Sequence, residues 1–197
     1  MGRLAIVVLI LIAATGVTAQ ASAPNWTGTY PPCNRHQDLL NRGPLDLGVR
    51  FSTSDPALAR VFRHALEFWS SVLDLTWHED NTTNCALQLV DGSPQLFDEA
   101  GACGCISARS QFPDRPDFQG WIALNPAAKL TDDEMFRVSI HEIGHLLGLP
   151  HNPSGSSVMF FLGLEGSLRL DATDLNSLER SHTLRDGIAD NGPIPIP

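Results

Sequence analysis

Between positions 141 and 151 the chain reads His-Glu-Ile-Gly-His-Leu-Leu-Gly-Leu-Pro-His, and few backbones can make use of that run. Side chains four apart on a helix share a face, so His141 and His145 can point at one ion from successive turns. Glu142 adjoins the first of them and can reach a water on that ion without binding the ion itself. Gly148 lets the helix end in a backbone conformation that a Cβ resists. The chain then reverses and can return His151 as a third imidazole. Three neutral imidazoles with one open position describe a catalytic zinc site, whereas a structural zinc is closed by four protein ligands. A bare His-Glu-x-x-His arises by chance roughly once in a hundred chains of this composition, and adding Gly148 and His151 lowers that to about a few in 10⁵. The run is therefore read as a site, with His141, His145 and His151 as metal ligands and Glu142 as the catalytic residue.

The flanking sequence supports the helix. Thr131-Asp132-Asp133-Glu134 has capping-box spacing, with Thr131 as N-cap and Glu134 three residues on. A second ligand set stays open, in which Glu165 replaces His151; Gly163 and Gly166 flank it, which argues against the helix that such a glutamate needs. His36, His64, His78 and His182 read as solvated or locally hydrogen-bonded.

A chain of 197 residues, 43% apolar and 18% charged, can bury one core and is short for two. Its 22 acidic and 13 basic residues leave a net charge of −9 with no basic cluster, which argues against nucleic acid or an anionic membrane as partner. Residues 1–23 are predicted to be a secretory signal. Arg3 precedes an apolar run from Leu4 to Ala14, too short to cross a bilayer, and Ala19-Gln20-Ala21 and Ala21-Ser22-Ala23 offer small residues at cleavage spacing. A retained anchor is the other reading of that run. Losing Arg3 leaves 12 basic against 22 acidic residues, a charge of −10 on an extracellular chain expected to be a monomer.

Export makes disulfides the expected state of Cys33, Cys85, Cys103 and Cys105. Cys103 and Cys105 flank a single glycine and would pair with strain, so Cys85 is expected to join one of them and Cys33 the other. A Cys-x-Cys metal site is the alternative. Asn25 and Asn81 begin glycosylation sequons.

The chain divides into a polar, proline-bearing arm at 24–44, one domain at 45–185, and a Pro-rich, extended C-terminal tail at 186–197. Leu45, Leu47, Val49 and Phe51 alternate with Asp46 and Arg50, predicting a half-buried strand. Asp55-Pro56 starts an amphipathic helix whose apolar side is Leu58, Val61, Phe62, Ala65, Phe68, Trp69 and Val72. Strands are predicted at Leu75 to Glu79, Cys85 to Val90, Cys105 to Phe112 and Trp121 to Leu124, the last covered on both faces. The capped second helix runs to Gly148. A third begins at Asp171, with Leu170 and Leu175 placed as a hydrophobic staple. That order suggests a mixed sheet with helices packed on it.

The run from His141 to His151 resembles the extended zinc signature of the metzincin metalloproteases, H-E-x-x-H-x-x-G-x-x-H. Met159, in Ser157-Val158-Met159, is similar to the Met-turn of that clan. Its spacing from His151, and the Arg169-Leu170 and Asp174-Leu175 entry to the last helix, most resemble the matrixins, with a likeness spanning residues 45–183. The resemblance implies an α+β metzincin-like catalytic domain: a twisted mixed five-stranded sheet, two long helices, an active-site cleft and a small C-terminal subdomain with one helix. It also implies a zinc-dependent endopeptidase that cleaves protein or peptide substrates. The substrate would lie antiparallel to the edge strand at Cys105 to Phe112, Phe160 to Leu164 would wall a pocket for an apolar side chain, and Met159 would floor the zinc.

The chain also departs from the matrixins. Asn152 stands where they carry Ser, and their Pro-Arg-Cys-Gly latency switch is absent. Pro32-Cys33-Asn34 echoes that switch, so Cys33 could cap the zinc as a thiolate instead of forming a disulfide. No histidine lies between Cys85 and Ile140, so a second, structural zinc is not expected. A calcium ion on the loop of Asp114 and Asp117 is a weaker expectation than two solvated carboxylates. The rival function is a zinc-bearing peptide-binding or inhibitory module without turnover, which would be expected to have lost Glu142.

Overall fold

Asp55 and Pro56 begin the first helix in the computed structural model, which describes residues 43–82, 85–93, 97, 108–111, 120–161, 166–188 and 190–197. The Asp55 carboxylate accepts from the amides of Ala57 and Leu58 at 2.8 and 3.2 Å, and Pro56 sits where a missing N–H costs nothing. Helix α1, Pro56–Val72, buries Leu58, Val61, Phe62, Ala65, Leu66, Trp69 and Val72. Phe68, expected inside, is only partly buried and meets Trp69 edge-on at 5.7 Å. Leu66 is the fully buried neighbour.

The strands are β1 (Leu45–Ser52), β2 (Leu75–Glu79), β3 (Leu87–Val90), β4 (Ala108–Gln111) and β5 (Gly120–Leu124). They are ordered β2-β1-β3-β5-β4 in one sheet. β1 runs parallel to both β2 and β3, and β3 parallel to β5, so α1 forms the crossover between β1 and β2. β4 pairs antiparallel with β5, Ala108 opposite Leu124, and closes one edge. It lies within the predicted strand from Cys105 to Phe112, whose other residues fall outside the described ones. β5 is buried at every position, as its unbroken apolar run implies.

β1 is not the half-buried strand that alternation predicts. Arg50 is fully buried beside Val49. The reason is cover on the strand's other face: a Cβ on Gly48 would stand 3.4 Å from Asp80 Cβ and 3.5 Å from Cys85 Cα, and the Arg50 guanidinium donates to the Thr82 carbonyl.

After β5 a short 3₁₀ turn at Pro126–Ala128 leads to α2, Asp132–Leu146. α2 packs on α1, where the Trp69 indole N–H donates to the Ile140 carbonyl at 3.2 Å. Beyond a long turn follow β6 (Arg169–Leu170), α3 (Ala172–Ser181) and β7 (Ile194–Pro195). β7 belongs to the proline-bearing tail and pairs antiparallel with β6, while the Ile196 amide donates to the Leu168 carbonyl at 2.8 Å. A single large apolar cluster runs from Leu47 and Leu87 in the sheet, through Phe62 and Trp69, to Ile140, Ile143 and Met159 beneath the second helix. No described helix is long and apolar enough to cross a membrane.

Trp69 links the two long helices by both area and hydrogen bond. Trp69→Phe is expected to lower stability by about 1–3 kcal/mol, because the Ile140 carbonyl loses its side-chain donor inside the core. Urea unfolding followed by circular dichroism checks this.

Candidate metal centre

The capping box at the start of α2 is formed. The Glu134 carboxylate accepts from the Thr131 amide at 2.7 Å, and the Thr131 hydroxyl accepts from the Glu134 amide at 3.3 Å. Asp132, Asp133 and Glu134 put negative charge at the positive end of the helix. At the other end Leu147 is the C-cap and Gly148 has φ +87°. The Gly148 and Leu149 amides turn back onto the carbonyls of His145 and Gly144 at 3.0 and 2.9 Å. The chain reverses there, and His151 returns toward the helix.

Two carbonyls set the first two rings. His141 Nδ1 lies 2.7 Å from the Val158 carbonyl oxygen and His145 Nδ1 lies 2.8 Å from that of Leu149. A carbonyl only accepts, so each Nδ1 carries its hydrogen and each Nε2 is left as a bare lone pair. These lone pairs converge. His145 Nε2 is 3.0 Å from His141 Nε2 and 3.2 Å from His151 Nε2. Nitrogens at the corners of a tetrahedron around zinc, bonded at about 2.0–2.1 Å, stand about 3.3–3.4 Å apart. The three rings therefore fit such an ion, and without a cation between them their lone pairs would repel. Burial, with the neighbouring His145 and His151 as lesser causes, pushes the pKa of His141 down to about 4 against the hydrogen bond that its Nδ1–H donates to the Val158 carbonyl. Burial lowers His151 as well. Both stay neutral near pH 7, the form in which imidazole binds a metal.

The three histidines grade outward, with His141 buried, His145 half-buried and His151 exposed. Glu142 is nearly buried at the start of the same helical turn. Met159 is fully buried against α2, where a Cβ added to Gly144 would stand 2.6 Å from its sulfur and force the Met159 side chain to shift. Phe161 is 57% exposed, with its ring 6.0 Å from that of His151.

The structure thus gathers His141, His145 and His151, and Glu142 is buried next to His141 on α2. It leaves His64 and His78 on the surface, the latter 3.0 Å from Asp46. His182 is buried, its Nε2–H donating to the Leu147 carbonyl at 2.7 Å, so it is locally hydrogen-bonded. Glu165, Cys33, Cys103, Cys105, Asp114, Asp117 and His36 lie outside the described residues, as do Leu162 to Leu164 of the expected pocket wall.

A polar network beneath the site escaped sequence reasoning. Asp174, buried on α3, takes Asn152 Nδ2–H on one oxygen at 2.9 Å, and the Ser157 hydroxyl and the Asp171 amide on the other at 2.7 and 3.0 Å. The signal was present, because Asp171 and Asp174 stand at capping-box spacing and form that box.

A sequence profile described as Matrixin matches residues 49–182. Matrix metalloproteinase-21 of Mus musculus is 30% identical over 138 residues, which are 61% of this chain and 22% of that protein. The Homo sapiens protein of the same name is 28% identical over 149 residues, 66% of this chain and 24% of that one. Macrophage metalloelastase of Rattus norvegicus is 28% identical over 129 residues, 60% of this chain and 27% of that protein. The chain therefore spans about a quarter of the length of these relatives. With the profile covering most of its length, including the sheet, both long helices and the three converging histidines, the chain belongs to the matrixin family of peptidases.

Proposed function

We propose that the chain is a secreted zinc endopeptidase that hydrolyses peptide bonds in extended polypeptides. The observation that carries this is the convergence of three Nε2 atoms on one point, two of them left as lone pairs by their carbonyl partners, with Glu142 next to His141 in the chain. His141, His145 and His151 hold the zinc, which supplies Lewis acidity and makes water acidic enough to attack near neutral pH. Glu142 takes the proton as water adds to the carbonyl carbon, and then returns it to the leaving amine nitrogen. β4 ends the sheet among the described residues, and an extended substrate adds there as an antiparallel strand. Phe160 and Phe161, beside His151, favour an apolar side chain next to the cleaved bond.

The same reading assigns residues 1–23 to an export signal, 24–44 to an arm, 45–185 to the catalytic domain with α3 in its C-terminal subdomain, and 186–197 to a tail. The mature chain acts as a monomer. Cys85 carries no free thiol and is disulfide-bonded, which supports the pairing expected of an exported chain.

Glu142→Ala is expected to retain zinc, read by metal analysis, while kcat on a peptide substrate falls by about 10²–10⁴-fold. His151→Ala is expected to release zinc, whereas Glu165→Ala keeps it. An active Glu142→Ala enzyme would overturn its role.

Acid should weaken the metal-free protein. His141 is held near 4 in the fold and returns to 6.5 on unfolding, so the unfolded chain binds the extra proton between those values. Stability of the chelated protein is therefore expected to be flat above about pH 7 and to fall as pH drops from 6.5 toward 4. Buried His182, also lowered, acts in the same direction. Urea midpoints measured across that window test the sign.

A further inference from the structure

The three imidazoles are not held alike. The Val158 carbonyl orients His141 and the Leu149 carbonyl orients His145. Among the described residues no acceptor takes Nδ1 of His151, whose exposed ring meets the rings of His145, His141 and Phe161 at 4.7, 5.3 and 6.0 Å. The direction of this ring therefore depends on its own backbone, and that backbone is fixed by its neighbour.

Asn152 is 4% exposed. Its amide N–H donates to the Met159 carbonyl at 2.9 Å, which closes the turn between His151 and Met159. Its side-chain oxygen accepts from the Ser154 amide at 2.9 Å. Both side-chain hydrogens go to α3, one to Asp171 Oδ1 at 3.0 Å and one to Asp174 Oδ1 at 2.9 Å. The second oxygen of Asp174 holds the Ser157 hydroxyl, whose oxygen in turn accepts from the Met159 amide. One carboxamide thus joins the residue beside the third histidine to the turn that orients the first.

We infer that Asn152 is a positioning residue for the zinc site: its carboxamide fastens the backbone after His151 to the start of α3 and so aims the third imidazole. The inference rests on the zinc reading above. The residue type fits the task. Serine, the residue at this position in the matrixins that the sequence resembles, has one hydrogen to give and cannot serve both carboxylates. Aspartate has none and would set a third negative charge against two. Only a side chain with two donors and an acceptor satisfies Asp171, Asp174 and the Ser154 amide together.

The test compares the purified full chain with Asn152→Leu, Asn152→Asp, and the exchange Asn152→Asp with Asp174→Asn. Each is read by the rate of zinc release to a chelator, by kcat and KM on one peptide substrate, and by urea midpoint. Outer-shell groups of this kind change metal affinity by about 10–100-fold. Asn152→Leu is therefore expected to release zinc faster by that order and to lose kcat with KM little changed. The exchange keeps a donor facing an acceptor between positions 152 and 174, so it is expected to hold zinc better than Asn152→Asp alone. If Asn152→Leu lowers the urea midpoint while zinc release and kcat stay at wild-type values, the residue only braces the loop and the inference fails. If Asn152→Leu does not fold, the exchange against Asn152→Asp decides; equal zinc release from those two overturns the pairing. A wild-type chain that neither holds zinc nor cleaves overturns the zinc reading itself, a separate outcome.

Discussion

The hydrogen bond from His141 Nδ1 to the Val158 carbonyl fixes more of this molecule than its 2.7 Å suggests. It joins α2 to a turn 17 residues further on, fixes a tautomer, and aims one lone pair at the point where the Nε2 atoms of His145 and His151 also meet. The ring can make that bond only because the turn sits directly beneath the helix. The turn sits there because Met159 enters the space that Gly144 leaves empty. Charge, tautomer and packing are therefore set by the same few atoms, and none can be altered without the others.

The rest of the fold explains how those atoms stay in place. Strands β1, β3 and β5 form a buried parallel platform, and α1 and α2 meet through Trp69 over the same apolar cluster as Met159. The second helix is held at its front by its capping box, along its side by Trp69 and at its end by His182, which binds the Leu147 carbonyl. A site whose ligands must meet within tenths of an ångström needs such a frame, because errors in the supporting elements pass directly into metal geometry.

Local chemistry was legible in the sequence and distant contact was not. The caps at Asp55, Thr131 and Asp171 are where the sequence places them, since each involves residues within one turn. The three histidines could be assigned because two share a helical face and the third follows a glycine bend. Arg50 was misjudged because alternation reports only one face of a strand, and the residues that cover the other face, Asp80, Thr82 and Cys85, carry no periodic signal. Phe68 is expected inside and is only partly buried, while Leu66, which the sequence pattern does not assign, is fully covered, because helix packing decides which apolar residues of α1 are enclosed. The carbonyls of Val158 and Leu149 were invisible, because a backbone oxygen carries no residue code.

Asp171 and Asp174 lie after all three histidines in the chain, so the ligands are synthesised before the carboxylates that brace their turn. A ribosome that has released His151 but not yet α3 presents three imidazoles on a segment whose return loop has nothing to grip. Because a domain folds as a unit, the return loop meets its anchor only once α3 is available to dock. The final short helix thus ties the candidate metal centre to completion of the scaffold, because the residue beside His151 finds its two carboxylates only there.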